Sequence, residues 1–312
     1  MHTALDETGS LAESLTRKRR GGWKDSLVAR FIFLNGIAAI VAVALIFVFL
    51  LKEAIPLFKT VSLWRFLSGT TWLPDQNQFG LVPLLIGSLF VTVGAVIIAV
   101  PLGIACAVYL AEVAPRPVRE MLKPTIEVLA GIPSVVIGFI GLMIAAPFIQ
   151  NLFKLPIGLT ALTGSIMLAF MSMPTIISIS EDAIVAVPKS YRDGSLALGA
   201  SRWETIRGVV VPAARSGIIA ACMLGVGRAV GETMTVLMVT GNASNLPNGL
   251  LGVPAYFFGP VRTMTATVAL EMGDTVQNSP HYYALFAVGL ALFAITFAVN
   301  LVADLALRRT RH

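Results

Sequence analysis

Charged residues are scarce in this 312-residue chain. Only 13% of the residues are Asp, Glu, Lys or Arg, whereas soluble domains carry about 25%. Hydrophobic residues make up 56%, and the mean hydropathy is +0.82. A chain with half the usual charge cannot cover its surface with polar groups. This composition disfavours a soluble enzyme, a disordered chain and a nucleic-acid-binding domain, although the net charge is +6.

Cysteine and histidine are also few. The two cysteines both lie in apolar runs, so we expect neither a disulfide scaffold nor a zinc cluster. The three histidines are far apart in the sequence, so we expect no metal site and no cofactor. These residues are Cys106, Cys222, His2, His281 and His312.

The motifs of common enzymes are missing as well. The sequence has no Gly-Lys pair and therefore no Walker A phosphate-binding loop. It also has no Gly-x-Ser-x-Gly elbow and no His-Glu-x-x-His, and its adjacent acidic residues, such as Glu181 and Asp182, are typical of a surface. A membrane enzyme is therefore disfavoured, and any ATP hydrolysis is expected in a partner chain.

Long apolar runs are abundant. A bilayer core of about 30 Å requires about 20 apolar residues per helix. The runs predict an all-α polytopic membrane protein with six transmembrane helices. The predicted spans lie near 31–52, 83–111, 125–149, 157–179, 214–240 and 282–306.

The basic residues are unevenly distributed between these spans. Seventeen of the 23 Lys and Arg residues lie in the two terminal segments and in the second-to-third and fourth-to-fifth connections. Since Lys and Arg are enriched on the cytoplasmic side, both termini are predicted to be cytoplasmic. The same distribution explains the pI of 9.6 without nucleic acid.

The topology divides the chain into regions. Residues 1–30 form a predicted cytoplasmic tail. We expect the first span to be an uncleaved anchor, because residues 1–20 lack the apolar core of a signal peptide. Residues 31–312 form the transmembrane domain. Its predicted external loops are 53–82 and 241–281, the latter with a short helix at 263–272.

The cytoplasmic connection 181–212 carries a specific pattern. Apolar residues recur at helical spacing on both sides of Gly199-Ala200, which predicts two short helices joined by a turn at Gly199. Pro212 is expected in the first turn of the next span. Two interpretations remain open: an amphipathic loop on the membrane surface, or a docking element for a cytoplasmic partner.

The fifth span contains two charges, Arg228 and Glu232, which are four residues apart and would share a helix face. A charge at this depth costs about 2.5–3.5 kcal/mol on insertion scales and usually faces a bundle interior or an aqueous path. Gly227 and Gly231 predict close helix packing on an adjoining face. One interpretation is a closed ion pair that fixes helix register. The other is that Arg228 meets an oxyanion while Glu232 holds it in place, with the hydroxyl of Thr233 adjacent.

The connection resembles the EAA loop of ABC importer permeases. Gly199, Val209, Val211 and Pro212 fit the pattern, while Asp193-Gly194-Ser195 stands where the family has Glu-Ala-Ala. The resemblance implies that this loop inserts into a cleft of an ATP-hydrolysing subunit. It thereby assigns coupling to Asp193, Gly199, Ala200 and Pro212.

Four further runs resemble phosphate-specific permeases, and two segments at the predicted external ends resemble their C-type (PstC-type) subunit. The runs are 79–89, 99–103, 131–138 and 227–234, and the two segments are 72–83 and 279–282. The resemblance implies a type I ABC importer permease that moves phosphate across the bacterial inner membrane through a pathway lined by Arg228 and Glu232. The implied partners are a homologous PstA-type permease, a cytoplasmic PstB-type ATPase dimer, an external PstS-type phosphate-binding protein and membrane lipid, but no nucleic acid. Another oxyanion such as molybdate or sulfate, or a proton-coupled carrier with Glu232 as proton site, stays as an alternative.

Overall fold

The computed structural model describes residues 23–246 and 252–309. The chain divides into two units, Met1–Phe49 and Leu50–His312. In the first unit, the helix that begins at Trp23 exposes its side chains from Leu27 to Phe49. Most of the predicted N-terminal tail, including the basic cluster at 17–20, lies outside the described residues.

Helices and short turns account for almost all of the described chain, with one two-stranded hairpin. The α-helices are α1 (Trp23–Ala54), α2 (Leu63–Ser68), α3 (Val82–Val108), α4 (Arg116–Ala130), α5 (Ser134–Ile140), α6 (Ala146–Phe153), α7 (Ala161–Val185), α8 (Lys189–Ala197), α9 (Arg202–Thr205), α10 (Val211–Ala213), α11 (Arg215–Val230), α12 (Met234–Val239), α13 (Val253–Phe257), α14 (Met264–Glu271) and α15 (Pro280–Arg309). The strands are β1 (Trp72–Leu73) and β2 (Gln78–Phe79), which pair antiparallel. Five-residue π-helical turns at Tyr109–Val113, Gly141–Ala145 and Ile206–Val210 continue α3, α5 and α9.

The predicted all-α membrane fold is confirmed. Among the described residues, five segments are long and apolar enough to cross a membrane, and a helix pair bent by 69° makes a sixth if its two helices form one span. The five are Leu27–Lys59, Val82–Val113, Ser134–Phe153, Ala161–Val185 and Pro280–Val302, and the pair is Arg202–Ala213 with Arg215–Val230. The short helix expected near 263–272 is present as α14.

Two predicted span boundaries are wrong. The third span begins at Ser134 and not near 125, because Pro133 ends the helical path and the chain turns at Gly131 and Ile132. The preceding α4 is a separate amphipathic helix. The fifth span is not continuous to 240, because α11 ends at Val230 and α12 begins only at Met234.

Helix α7 packs between its neighbours at the centre of the larger unit. Ile176 lies within van der Waals reach of two glycines, Gly103 on α3 and Gly225 on α11. A Cβ atom at Gly103 would lie 2.8 Å from the Ile176 side chain, and one at Gly225 would lie 2.5 Å from it. These two positions therefore require glycine for the three helices to approach closely.

The hairpin at the predicted external end is anchored by aromatic residues. Trp72 and Phe79 are paired across β1 and β2 and are both buried. The indole N–H of Trp72 donates to the carboxylate of Glu271 at 3.1 Å, and Arg262 and His281 contact the same carboxylate at 2.5 and 2.8 Å. This cluster fastens the hairpin to α14 and to the start of α15.

Candidate functional site

Arg228 lies in the last turn of α11 and is half-buried. Its Nη1 donates to the hydroxyl of Thr175 on α7 at 3.0 Å, and its Nη2 donates to the backbone carbonyl of Ala130 at 3.1 Å. The Ala130 carbonyl belongs to the C-terminal end of α4, where the helix dipole is negative. Both acceptors are neutral groups, so neither contact supplies a counter-charge to the guanidinium.

Glu232 does not pair with Arg228. The described residues contain no ion pair between the two side chains within 4.0 Å. Instead, Glu232 Oε1 accepts a hydrogen bond from the backbone N–H of Thr235 at 3.0 Å, which caps the first turn of α12. The closed ion pair is therefore wrong, and so is a direct tether from Glu232 to Arg228. The physical reason is the break after Val230, which ends the helix face that the two residues were expected to share.

The surroundings of Glu232 are rich in hydroxyl groups. Glu232 is only 8% exposed, and its carbonyl accepts from the hydroxyl of Thr265 at 2.8 Å. It lines a cavity of about 10 Å³ together with Ser88, Thr92 and Thr263. That volume is close to the minimum that holds one water molecule. Glu232 thus lies beside a nearly closed cavity, lined by both hydroxyl and apolar side chains, rather than in an open channel.

Thr233 and the two predicted packing glycines lie at the same break. The hydroxyl of Thr233 is half-exposed and lies 3.4 Å from the carbonyl of Gly231. A Cβ atom on Gly227 would meet only Asn300 at 3.9 Å, and one on Gly231 would meet only its own segment at 3.7 Å. The predicted close packing at Gly227 and Gly231 is therefore not present between the described residues, and the close approach of α11 occurs at Gly225.

Two interrupted helices meet beside Arg228. The break at 131–133 separates α4 from α5, and the break at 231–233 separates α11 from α12. The hydroxyl of Thr235 donates to the carbonyl of Ser134 at 3.0 Å, which joins the two segments. Non-helical backbone at membrane depth is tolerated only where it is buried in protein or lines a cavity. The two breaks and Arg228 therefore form the best candidate site for a polar solute within the spans.

The segment predicted to couple to a partner forms a helix–turn–helix, as expected. Gly199 has a φ of +87°, which lies in the left-handed region and favours glycine. Ser201 and Glu204 form a reciprocal capping box at the start of α9. The hydroxyls of Ser195 and Thr205 lie 3.0 Å apart and connect the two helices.

This helix–turn–helix displays apolar side chains to the outside. Leu198 is 91% exposed and Trp203 is 63% exposed, and Tyr191 and Leu196 are also exposed. Asp193 is exposed on α8, Ala200 follows the turn, and Pro212 lies in α10. An exposed apolar surface of this kind is typical of a docking site for another protein.

Ion pairs fix the base of this segment. Arg192 contacts Glu112 at 2.5 Å and also donates to the carbonyls of Ile184 and Val187 at 2.9 and 2.5 Å. The sequence alone did not predict that Glu112 would anchor α8, because 80 residues separate it from Arg192. The helix–turn–helix is therefore tied to the π-helical turn that ends the α3 span.

A second charged cluster lies at the same end of the spans. Glu181 is buried, and it contacts Lys123 at 2.5 Å and Arg119 at 3.9 Å. The expectation that Glu181 belongs to the surface is wrong, because α4 covers it and supplies both cations. Hydrogen bonds to Asp182 and Glu181 raise the pKa of Lys123 above 10.5.

Comparisons with known proteins agree with this architecture. The family described as "Binding-protein-dependent transport system inner membrane component" matches residues 99–312. The chain is 40% identical to the probable ABC transporter permease protein YqgH of Bacillus subtilis, covering 97% of this chain and 98% of that protein. It is 34% identical to the phosphate transport system permease protein PstC of Mesorhizobium japonicum, covering 92% and 94%, and 33% identical to PstC of Haemophilus influenzae, covering 85% and 90%.

Solved structures show the same fold at low sequence identity. A bacterial ABC transporter involved in the import of alginate superposes with a TM-score of 0.61 at 13% identity, covering 92% of this chain and 98% of that chain. The MetNI methionine ABC transporter superposes with a TM-score of 0.53 at 16% identity, covering 74% and 94%. The fold is that of type I ABC importer permeases, and the chain belongs to the family of binding-protein-dependent transport system inner membrane components.

Proposed function

We propose that this chain is the permease subunit of an ATP-driven importer that carries inorganic phosphate into the cytoplasm. The PstC proteins are named as phosphate transport permeases and align with this chain over most of its length. The alternative ABC cargoes, molybdate and sulfate, have no comparable support. The observation that carries the proposal is the environment of Arg228.

A guanidinium held by neutral acceptors is available to an oxyanion. Arg228 has five N–H donors and uses two of them on Thr175 and Ala130. Phosphate oxygens match the guanidinium fork, and a charge-assisted bond is about twice as strong as a neutral one. An arriving phosphate therefore displaces or joins the two neutral acceptors. A salt bridge to Glu232 would have opposed this exchange, and the geometry does not provide one.

The same neutral acceptors support release of the anion. Transport requires that binding be favourable enough for entry and weak enough for exit. When phosphate leaves, the hydroxyl of Thr175 and the carbonyl of Ala130 satisfy the guanidinium again. Glu232 acts in this scheme by capping α12 and so holding the break that follows Arg228, while Thr233 supplies a hydroxyl at the edge of the pathway.

The energy for transport comes from a partner in this proposal. The helix–turn–helix of α8 and α9, within the region 181–212, docks into an ATPase subunit through its exposed apolar side chains, with Asp193, Gly199, Ala200 and Pro212 shaping that surface. Both termini are then cytoplasmic, residues 1–30 form the tail, and residues 31–312 form the permease domain with external loops at 53–82 and 241–281. The family requires a binding protein, and here it delivers phosphate to those external loops. The full assembly adds a homologous PstA-type permease, a PstB-type ATPase dimer and a PstS-type binding protein.

Reconstitution of the assembly tests the proposal. Proteoliposomes that contain the chain with its second permease and ATPase, supplied with ATP inside and the binding protein outside, should accumulate radiolabelled phosphate. Excess sulfate or molybdate should leave phosphate uptake unchanged. Competition by either anion at equal potency would identify a different cargo. Uptake by the purified chain alone under a proton gradient would identify a secondary carrier instead.

A further inference from the structure

A pocket with both polar and apolar lining lies at the predicted external end of the larger unit. Its volume is about 590 Å³, and its lining comes from the segment after α1, from α2, from the hairpin and from the start of α15. Three of its residues mark the ends of membrane spans. Thr60 directly follows the first span, Gly80 precedes the second by two positions, and Pro280 begins the last. The pocket therefore lies at the level where lipid headgroups meet the protein.

The lining contains one cation, Arg65, together with hydroxyl and amide groups. None of the ion pairs formed within 4.0 Å between described residues includes Arg65. The hydroxyls of Thr60 and Thr71 also line the pocket, where they donate to the Leu57 carbonyl at 2.9 Å and to the Gln78 side-chain oxygen at 3.0 Å. Arg65 is therefore the group in this lining that can bind an anion, because its charge is not paired within an internal network.

The pocket walls are held in place by close backbone contacts. A Cβ atom on Gly80 would lie 2.4 Å from the carbonyl oxygen of Gly69, so the two backbone segments touch directly. The backbone N–H of Gly80 donates to the carbonyl of Thr71 at 2.8 Å. Trp72 on the hairpin and Phe66 on α2 are both buried, and their packing in the core holds these two elements in place. The site is therefore preformed.

Apolar side chains beside Arg65 identify the kind of anion. Helix α2 exposes Leu63, Trp64 and Leu67 by 54%, 76% and 43%. Tryptophan is enriched where the membrane meets water, and short amphipathic helices lie in that plane with their apolar face in the acyl boundary. A soluble anion needs no such face, whereas a phospholipid brings its acyl chains with its phosphate.

We propose that this pocket binds the headgroup of an anionic phospholipid. The guanidinium of Arg65 receives the phosphodiester oxygens, and the hydroxyls of Thr60 and Thr71 line the remainder of the headgroup site. Leu63, Trp64 and Leu67 rest against the acyl chains next to it. Binding at this position joins the ends of three spans and ties the hairpin to the membrane surface.

Lipid titration of the full-length chain tests the proposal. The chain is purified in detergent, phosphatidylglycerol or phosphatidylcholine is added, and bound lipid is counted by native mass spectrometry. An Arg65→Gln variant should bind phosphatidylglycerol at least about fivefold more weakly, in line with the contribution of one basic residue near an anionic surface. Lys154→Gln removes a cation outside the pocket and should leave the affinity unchanged. Phosphatidylcholine binding should not differ among the three proteins.

Further arms distinguish the sources of the anion. Thermal unfolding of Arg65→Gln checks that the variant is folded, and Arg65→Lys should show intermediate lipid affinity because it keeps the charge without the fork. Equal phosphatidylglycerol affinity in wild type and Arg65→Gln would overturn the proposal. Displacement of the lipid by millimolar inorganic phosphate would assign the pocket to free phosphate and overturn the lipid assignment. A loss of binding-protein affinity in Arg65→Gln with normal lipid binding would make the pocket a protein-docking site and would likewise overturn it.

Discussion

Replacing Arg228 by glutamine is the most direct test of the transport site. The change removes the positive charge but keeps a polar side chain that can still donate to Thr175 or Ala130. A hydrogen bond to a charged group contributes about 1.5–3 kcal/mol. If phosphate makes two such bonds to the guanidinium, their loss costs at least about 3 kcal/mol, which corresponds to roughly 150-fold in affinity. Phosphate uptake should therefore fall to background at substrate concentrations that saturate the wild type.

The cost to folding should be much smaller. Arg228 is half-buried, and each of its acceptors is neutral, so glutamine leaves at most one of them without a partner. We expect a loss of about 1–2 kcal/mol in the free energy of unfolding. The amount of the chain in the membrane and its co-purification with the ATPase subunit should remain close to wild type. Uptake and assembly are thus expected to separate.

The assay is uptake of radiolabelled phosphate in cells that depend on this chain, normalised to the amount of permease in the membrane. Arg116→Gln is the matched control, because Arg116 is 89% exposed and, among the described residues, its ion pair is with Glu120 on its own helix. Arg228→Lys keeps the positive charge but lacks the planar guanidinium, so its phosphate uptake should lie between that of Arg228→Gln and that of the wild type. Wild-type uptake by Arg228→Gln would remove Arg228 from the mechanism.

Three further substitutions address the coupling segment, the α4 cluster and the external cluster. Gly199→Val should reduce co-purification of the ATPase subunit, because a left-handed backbone costs a β-branched residue at least about 1–2 kcal/mol. Gly208→Val changes a site that is equally open and should leave co-purification unchanged. Lys123→Met should lower the unfolding temperature in detergent, because it leaves the buried carboxylate of Glu181 short of a partner, and adding Glu181→Gln should restore part of the loss. Because the pKa of Lys123 is raised in the folded state, the stability that Lys123 contributes is present below pH 10.5 and disappears as the pH rises through the folded-state pKa. Glu271→Gln should lower stability by about 2–3 kcal/mol, because the carboxylate of Glu271 accepts hydrogen bonds from the Arg262 guanidinium and from the Trp72 indole. Unchanged thermal unfolding would show that the cluster carries little energy.

The sequence predicted the parts of the fold that depend on local pattern. Apolar runs located the spans because burial in lipid requires a continuous stretch of about 20 residues. Gly199 predicted the turn between α8 and α9, because glycine adopts a positive φ at no steric cost. Pro133 within the predicted third span indicates a kink or a broken helix, yet the apolar run across it placed the start of that span near 125. Hydropathy alone cannot distinguish a helix from an interrupted one.

The candidate site depended on contacts that no local pattern reveals. Arg228 was identifiable because a charge within an apolar run is unusual. Its partners were not, since Thr175 is 53 residues away and Ala130 is 98 residues away. Helical spacing suggested Glu232 as the partner, but spacing applies only while the helix continues, and α11 ends at Val230. The burial of Glu181 could not be predicted either, because the residues that bury it belong to α4, which is distant in the sequence.

Helix α4 connects the surroundings of Arg228 with the helix–turn–helix through contacts at both of its ends. Near its beginning, Arg119 donates to the carbonyl of Leu110 at 2.6 Å and to that of Ala111, both in the π-helical turn that also contains Glu112. Glu112 in turn holds Arg192 on α8.

At its far end, α4 offers the carbonyl of Ala130 to Arg228. A helix is stiff along its axis, so movement of α8 by a docked ATPase should shift both ends of α4 together. That shift would withdraw or return one of the two neutral acceptors of Arg228. The affinity of the site for an anion would then depend on the position of the coupling segment, which is what an ATP-driven permease requires.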